Sequence, residues 1–489
     1  MIEREGVAAR CARLVQPVGS KWKSSNLVWG AWCGQGDLLD QRSPVDGSRI
    51  QQAHFLSPQE LALLLTDAPP SPLAPHELWQ FTARLHEALH TLAPLLHATL
   101  QLETAFTKHD CDELLAGALA YVRDFEQSLS QADAAPGLDL TYQTPEQARR
   151  IRLTRVAWGT VAVILPQNAF LLIAVTTMLN ALATGNRVIL RAPQQSARSA
   201  ALFAAALQVA QVPAQAVSVV LVKAREFVEN LCRAQLPALI HYFGSSEHGP
   251  RIVADAAHAG KSALIDGSGN GWMWIDADVP VETAVTLLTA GALRYNGQTC
   301  TSINGVMIHP ARYAAVREGL IERWSSLTTG NPLTADVDVG PLFDADQAQW
   351  CEQQLHASGG TILCGGRRAA NLLYPTLLEH PAPDSALVRE GMFGSGLWLT
   401  AGDSAEFIAW WRHNRYPLCA SLLSGAPDVA WWLARLPNLA RLVVNGDPSV
   451  EYIFEPWGGY PPSGLNPVGS WHQKYQRIVS VDEPGLPSA

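Results

Sequence analysis

Apolar positions recur three and four residues apart through residues 57–125, which include the run HELWQFTARLHEALHTLAPLLHATLQLETAF. This spacing predicts long amphipathic helices, with a proline-rich break at residues 69–75. Ahead of them, residues 26–51 read as short extended pieces and turns, and residues 138–153 are polar and partly alternating, the pattern of a β-arm outside the main core. The texture then changes. Residues 156–165 (VAWGTVAVIL) form a nearly continuous apolar run, as expected for a strand buried on both faces of a parallel sheet. Strands at 187–191, 216–222 and 238–243 alternate with helices at 170–183, 196–210 and 227–236. This β-α-β-α-β order predicts a doubly wound α/β sheet of the nucleotide-binding kind. A second α/β series follows residue 263, with a strand at 272–275, a helix at 281–293 and further strands at 305–309, 361–364, 397–399, 420–423 and 441–444. A last strand is predicted at 476–481.

In such sheets a ligand lies beyond the carboxyl ends of the strands. Those ends carry Asn168, the run Arg191-Ala192-Pro193-Gln194, and Gly244-Ser245-Ser246. The serines open a helix predicted at 246–256, where free backbone N–H groups favour phosphate.

The reading of 489 residues as two or three domains follows from length, and 48% apolar with 16% charged residues supplies material for large cores. The net charge of −9, without a basic block, argues against nucleic acid and anionic membrane surfaces as partners. Sixteen scattered tryptophans suggest packing or subunit contacts. The eight cysteines form no CxxC pair and no zinc-spaced cluster with histidine, so no metal site is expected and reduced thiols in the cytoplasm are. The charged start MIEREGVAAR lacks a signal-peptide core, and the longest apolar stretch, residues 170–182, is too short to span a bilayer. One cysteine stands apart. Cys300 lies in a polar loop, NGQTCTS, directly after the helix at 281–293, and a thiol there needs only a modest pKa depression to act as a nucleophile.

Taken together, these segments resemble the aldehyde dehydrogenase superfamily over nearly the whole chain. The matching pieces, in order, are VAVILPQNAF, ALATGNRVILRAP, YFGSSEHG, IDADV, NGQTC, VGPLFDADQ, REGMFGS and NGDPSVEYIFEPWGGYPPSG. The resemblance implies a Rossmann-like nucleotide-binding domain (residues 1–138 and 158–262), a catalytic domain (263–465) and a β-arm for homodimer or homotetramer formation (139–157 and 466–489). It implies NAD or NADP as cofactor, with Leu165, Pro166, Arg191, Gln194, Gly244, Ser245, Glu390 and Phe393 around it. Cys300 would attack an aldehyde to give a thiohemiacetal whose oxyanion is held by Asn168 and the Cys300 N–H, and hydride loss would leave a thioester.

The chain also departs from the family pattern. Leu264 occupies the position of the glutamate that activates the deacylating water, and Asp266, two residues on, is the candidate replacement, set against a reading of it as a turn residue. Gly391 stands where a ribose-binding glutamate is expected, beside Glu390. Arg191 replaces a lysine and Gln194 a glutamate at the adenosine end, which makes NADP as plausible as NAD. Three readings follow: aldehyde oxidation ending in hydrolysis, acyl-thioester formation or reduction with coenzyme A or another thiol, and a degenerate homologue with a structural role. Around residues 168–172, 294–301 and 450–456 the aromatics Phe170, Tyr295, Tyr452, Phe454 and Trp457 suggest an apolar or aromatic aldehyde as the small-molecule partner.

Overall fold

Runs of β-branched and aliphatic residues build the centre of the first unit. Strands Thr160–Ile164, Arg187–Arg191, Val217–Val220 and Ala238–Phe243 are buried at every position, as two-sided burial requires. The computed structural model describes residues 26–66, 73–132, 139–143, 148–213 and 215–484, with backbone only for 130–150 and 483–484. The charged N-terminal stretch, most of the proline-rich break and the domain limit at 138 lie outside these residues.

Five strands of the first sheet run parallel in the order 217–220, 187–191, 160–164, 238–243, 262–266, and antiparallel strands flank them at both edges. The chain reverses its direction of winding between Thr160–Ile164 and Ala238–Phe243, so the switch-point crevice opens beside Leu165 and Gly244. Helices Pro75–Thr104, Lys108–Ala132, Phe170–Ala183 and Ala197–Val209 cover one face through a shared apolar core. A second sheet of seven strands runs 361–364, 376–379, 396–401, 303–308, 271–275, 419–423, 441–444, with the first of these antiparallel. Its core holds Trp272, Trp274, Trp398, Trp411 and Trp432, with Trp272 edge-on to Trp398 at 5.0 Å. Tryptophan therefore serves packing here. A third sheet pairs Asp139–Gln143, Ala148–Ala157 and Gln476–Pro484 as an arm.

Two predicted elements shift. The apolar run at 156–165 is two strands, because Gly159 turns the chain at φ +106° and the arm strand ends at Ala157. The helix expected from 246 begins at Gly249. The Ser246 N–H is taken by the Ser268 hydroxyl (3.2 Å) and the Glu247 N–H by the Ser245 hydroxyl (3.3 Å), so Gly244-Ser245-Ser246 is a loop braced on its neighbours. Among the described residues no helix is long and apolar enough to cross a membrane.

Candidate active site

The cysteine loop owes its shape to its first three residues. After helix Val281–Leu293, the residues Tyr295, Asn296 and Gly297 all adopt left-handed backbone, at φ +55°, +56° and +73°. That conformation is unfavourable for tyrosine, and long-range bonds hold it. The Tyr295 N–H donates to Asp110 Oδ1 (3.2 Å). The Asn296 amide donates to the carbonyls of Ala105 (3.0 Å) and Pro341 (3.1 Å) and accepts from the Gly340 N–H (2.8 Å). A side chain at Gly297 would strike the Gly394 carbonyl. On the opposite side, a Cβ at Gly269 would collide with the Cys300 carbonyl oxygen, and one at Gly267 with the Ser246 hydroxyl and the Ser463 carbonyl, which explains both glycines.

Cys300 is half-buried and borders a cleft of about 1080 Å³ that runs between the two sheets. Burial pushes its thiol well above the ordinary range, and Glu451 adds the next largest upward push, ahead of Cys419 and Asp266. These surroundings favour the thiol over the thiolate, so they do not supply the depression a nucleophile at this loop would use. Asn168 donates from Nδ2 to the Gln298 carbonyl (3.0 Å), which fixes its amide beside the same loop.

Ten of the eleven residues proposed from sequence border this cleft: Leu165, Pro166, Asn168, Arg191, Gly244, Ser245, Asp266, Cys300, Glu390 and Phe393. Gln194 is the exception. It starts the short turn Gln194–Ser196 and is absent from the cleft lining among the described residues. Arg191 is buried, donates from Nε to the Val222 carbonyl (2.8 Å), and is pushed down to about 10 by burial. Of the expected entrance aromatics, Tyr295, Tyr452 and Trp457 line the cleft. Phe170 is instead buried in the core, and Phe454 packs at a tilt 4.9 Å from Tyr121, because both fall on faces that meet the helical layer.

Asp266 ends strand Ser262–Asp266 rather than sitting in a turn, and its carboxylate is heavily used. Oδ2 accepts from His241 Nε2 (2.6 Å) and Asn466 Nδ2 (2.7 Å), and Oδ1 accepts from Trp457 Nε1 (3.1 Å). His241 is fully buried and also meets the Tyr475 hydroxyl at 2.8 Å; burial holds its pKa below the usual value. Leu264 lies in register with His241 and packs against the apolar core.

Glu390 is paired with Arg415 (2.8 Å). Gly391 has φ +74° and ψ −174°, a region open essentially to glycine alone, and a Cβ there would stand 2.9 Å from Asn270 Oδ1. A glutamate therefore does not fit at 391.

The residue that sequence reasoning passed over is Glu451. It lies in the loop already assigned to the entrance, directly before the aromatic Tyr452. Its Oε1 accepts from the Thr301 hydroxyl (3.1 Å), and it lines the cleft with Cys300. Two arginines pin its loop. Arg294 bonds Ser449 (2.9 Å) and approaches Asp447 (3.5 Å), while Arg441 grips Glu455 (2.5 and 3.1 Å) and the Val450 carbonyl (2.9 Å). Glu451 is exposed along the cleft, and the desolvating effect of the protein around it pushes its carboxyl up to about 7.

A doubly wound nucleotide crevice joined to a second α/β unit bearing a loop cysteine defines a class of protein, and comparison gives it a family. Residues 46–481 match the model of the aldehyde dehydrogenase family. The chain belongs to this family of oxidoreductases. Aspartate-semialdehyde dehydrogenase 1 of Pseudomonas canavaninivorans is 28% identical over 327 residues, 66% of this chain and 69% of that protein. Vanillin dehydrogenase of Corynebacterium glutamicum is 27% identical over 333 residues, 65% of this chain and 68% of its own length. Among solved structures, an NADP-dependent enzyme of E. coli superposes with a TM-score of 0.86 at 21% identity, covering 96% of this chain and 99% of that one.

Proposed function

We propose that the protein oxidises an aldehyde with NAD(P) through a thioester on Cys300. The observation that carries this reading is the Asn168 amide tied 3.0 Å from the Gln298 carbonyl, so that an oxyanion donor and a nucleophile share one cleft. The aldehyde-side wall, with Leu172, Tyr295, Trp457 and Trp471, suits an apolar or aromatic aldehyde. The names of the relatives, which span semialdehydes and vanillin, agree with aldehyde oxidation without narrowing the substrate.

The dinucleotide fits the residues present. The crevice beyond Leu165 and Gly244 is open to it, and Arg191 there offers a guanidinium with no family glutamate opposing it on the cleft wall among the described residues. When bound, the nicotinamide supplies a hydride acceptor. Leu165, Pro166, Gly244 and Ser245 would flank the dinucleotide, and Arg191 favours the 2′-phosphate of NADP. The Cys300 proton passes to water in the cleft as sulfur bonds the carbonyl carbon, Asn168 and the Cys300 N–H hold the oxyanion, and loss of hydride leaves the thioester.

A second reading, transfer of the acyl group to a thiol such as coenzyme A, is favoured by Leu264, which cannot accept a proton. Both are tested by incubating the protein with acetaldehyde, benzaldehyde, vanillin and succinate semialdehyde, each nucleotide, and coenzyme A present or omitted. Reduced nucleotide should form with at least one aldehyde and vanish in Cys300→Ser. Reduction that survives this substitution, or no reduction with any combination, refutes the proposal, and an absolute requirement for coenzyme A selects the second reading.

A further inference from the structure

Five carboxylates other than Glu451 border the cleft, and each has another engagement or place. Glu113 is ion-paired with Arg294, Glu390 with Arg415, and Glu455 with Arg441. Asp266 accepts three hydrogen bonds, two of them buried. Glu247 lies at the nucleotide end, two residues past Ser245. Glu451 alone of the six, among the described residues, lines the cleft with the nucleophile and accepts from a neutral hydroxyl, that of Thr301, the residue next to Cys300. It also acts on the Cys300 thiol more strongly than any other charged group.

We propose that Glu451 is the general base for thioester hydrolysis, taking the role that Leu264 cannot fill. The inference rests on the Cys300 thioester reading above. A water in the cleft attacks the thioester carbonyl carbon and gives its proton to the Glu451 carboxylate. The C–S bond then breaks, releasing the carboxylic acid and leaving Cys300 as the thiolate. Arg441 and Arg294 favour the charged form of Glu451, as does the Thr301 hydroxyl, while Glu455, held by Arg441, and loss of solvent oppose it. The opposing influences balance near neutrality, where a base is most useful. The role also suits the pinned loop: both arginines fix the segment from 447 to 455, so the carboxylate is placed without belonging to either sheet.

The experiment uses 4-nitrophenyl acetate, which acylates a thiol without nucleotide. The nitrophenolate burst reports acetylation of Cys300, and the later steady rate reports deacylation. In Glu451→Gln the burst amplitude should persist while the steady rate falls about 10²-fold or more. Acetylated Cys300 should accumulate in the mass spectrum, and hydroxylamine, which needs no base, should restore turnover. The wild-type deacylation rate should rise with pH through about 7, and that limb should be lost in Glu451→Gln. Thr301→Val removes the hydroxyl that favours the carboxylate and should move the limb to higher pH, which keeps the proposal exposed if the glutamine variant folds poorly. A steady rate within about twofold of wild type in Glu451→Gln, where a working base predicts a far larger loss, overturns the assignment. So does a trapped acyl-enzyme in Asp266→Asn instead. No acetylation of Cys300 in the wild type would overturn it together with the thioester itself, whereas acetylation without aldehyde oxidation removes only the dehydrogenase reading.

Discussion

Replacing Asp266 by asparagine separates a structural hub from a catalytic base. In the wild type the carboxylate accepts from His241 at 2.6 Å and Asn466 at 2.7 Å, both buried, and from Trp457 at 3.1 Å, part-buried at the cleft wall. An asparagine keeps one acceptor oxygen. If that oxygen takes the Oδ2 place, the new amide N–H₂ faces the Trp457 N–H, donor against donor. If it takes the Oδ1 place, His241 can change tautomer and accept, but Asn466 loses its partner, since its own Oδ1 is already bonded to Lys474 (2.7 Å). Either way one donor loses its partner, at about 1–3 kcal/mol where it is buried (Asn466) and less at the cleft wall (Trp457), and the surviving bonds lose their charge assistance, at about 1 kcal/mol each. The expected loss of stability is therefore about 2–5 kcal/mol, read from urea denaturation at fixed protein concentration. The rate of Cys300 acetylation by 4-nitrophenyl acetate should change little, because Asp266 acts on that thiol more weakly than Glu451 or Cys419. Stability within about 0.5 kcal/mol of wild type would refute the hub, since the loss of charge assistance in one surviving bond alone exceeds that.

Arg191→Gln should weaken NADP binding about 10–100-fold, the equivalent of one charge-assisted hydrogen bond of about 1.5–3 kcal/mol, and leave NAD nearly unchanged. Tryptophan fluorescence titration with both nucleotides measures this, and parallel losses would remove Arg191 from the 2′-phosphate. Glu103 tests pH dependence. It is buried and accepts from Gln41 (2.6 Å), the Arg198 and Ser199 N–H groups (2.8 and 3.1 Å) and the Ser199 hydroxyl (2.5 Å). These bonds favour the anion, but burial outweighs them and raises the pKa from 4.5 to about 7. A raised acid stabilises the fold fully below its unfolded pKa and loses that contribution as pH rises through the folded one. Relative to wild type, Glu103→Gln should therefore gain about 3 kcal/mol between about pH 4.5 and pH 8, measured as the difference of two denaturation profiles; parallel profiles would show that Glu103 is charged throughout.

Much of the fold was legible because two-sided burial leaves a mark in the letters. Arg187–Arg191 and Ala238–Phe243 begin and end where the sequence places them. Legibility failed where a distant neighbour decides. The run at 156–165 reads as one strand until Gly159 is seen to turn against Pro237. Phe170 and Phe454 read as pocket until the helical layer claims them. Cys300 and Asn168 were readable through the family motifs, but Glu451 lies 150 residues from its hydroxyl partner and no local pattern announces it.

The departures from the family pattern are tied to packing rather than scattered at random. A glutamate at 264 would face the His241 side of the strand, on the same face as Asp266 two residues on, so a second acid would replace an apolar contact beside the Asp266 cluster. A side chain at 391 meets Asn270 and Asn304, and Asn270 is itself bonded to the Val388 carbonyl (2.8 Å) and to Asn414 (3.1 Å). Restoring either family glutamate alone would disturb a hydrogen-bonded or apolar cluster that has closed around its absence. The compensating acid then has to enter from a segment outside both sheets. The loop at 447–455 meets that condition, since its anchors are arginine side chains and not strand pairing. On this view the catalytic carboxylate has moved from a strand end to a braced loop, and the cysteine, fixed by Asn296 and Gly297, has stayed where the fold puts it.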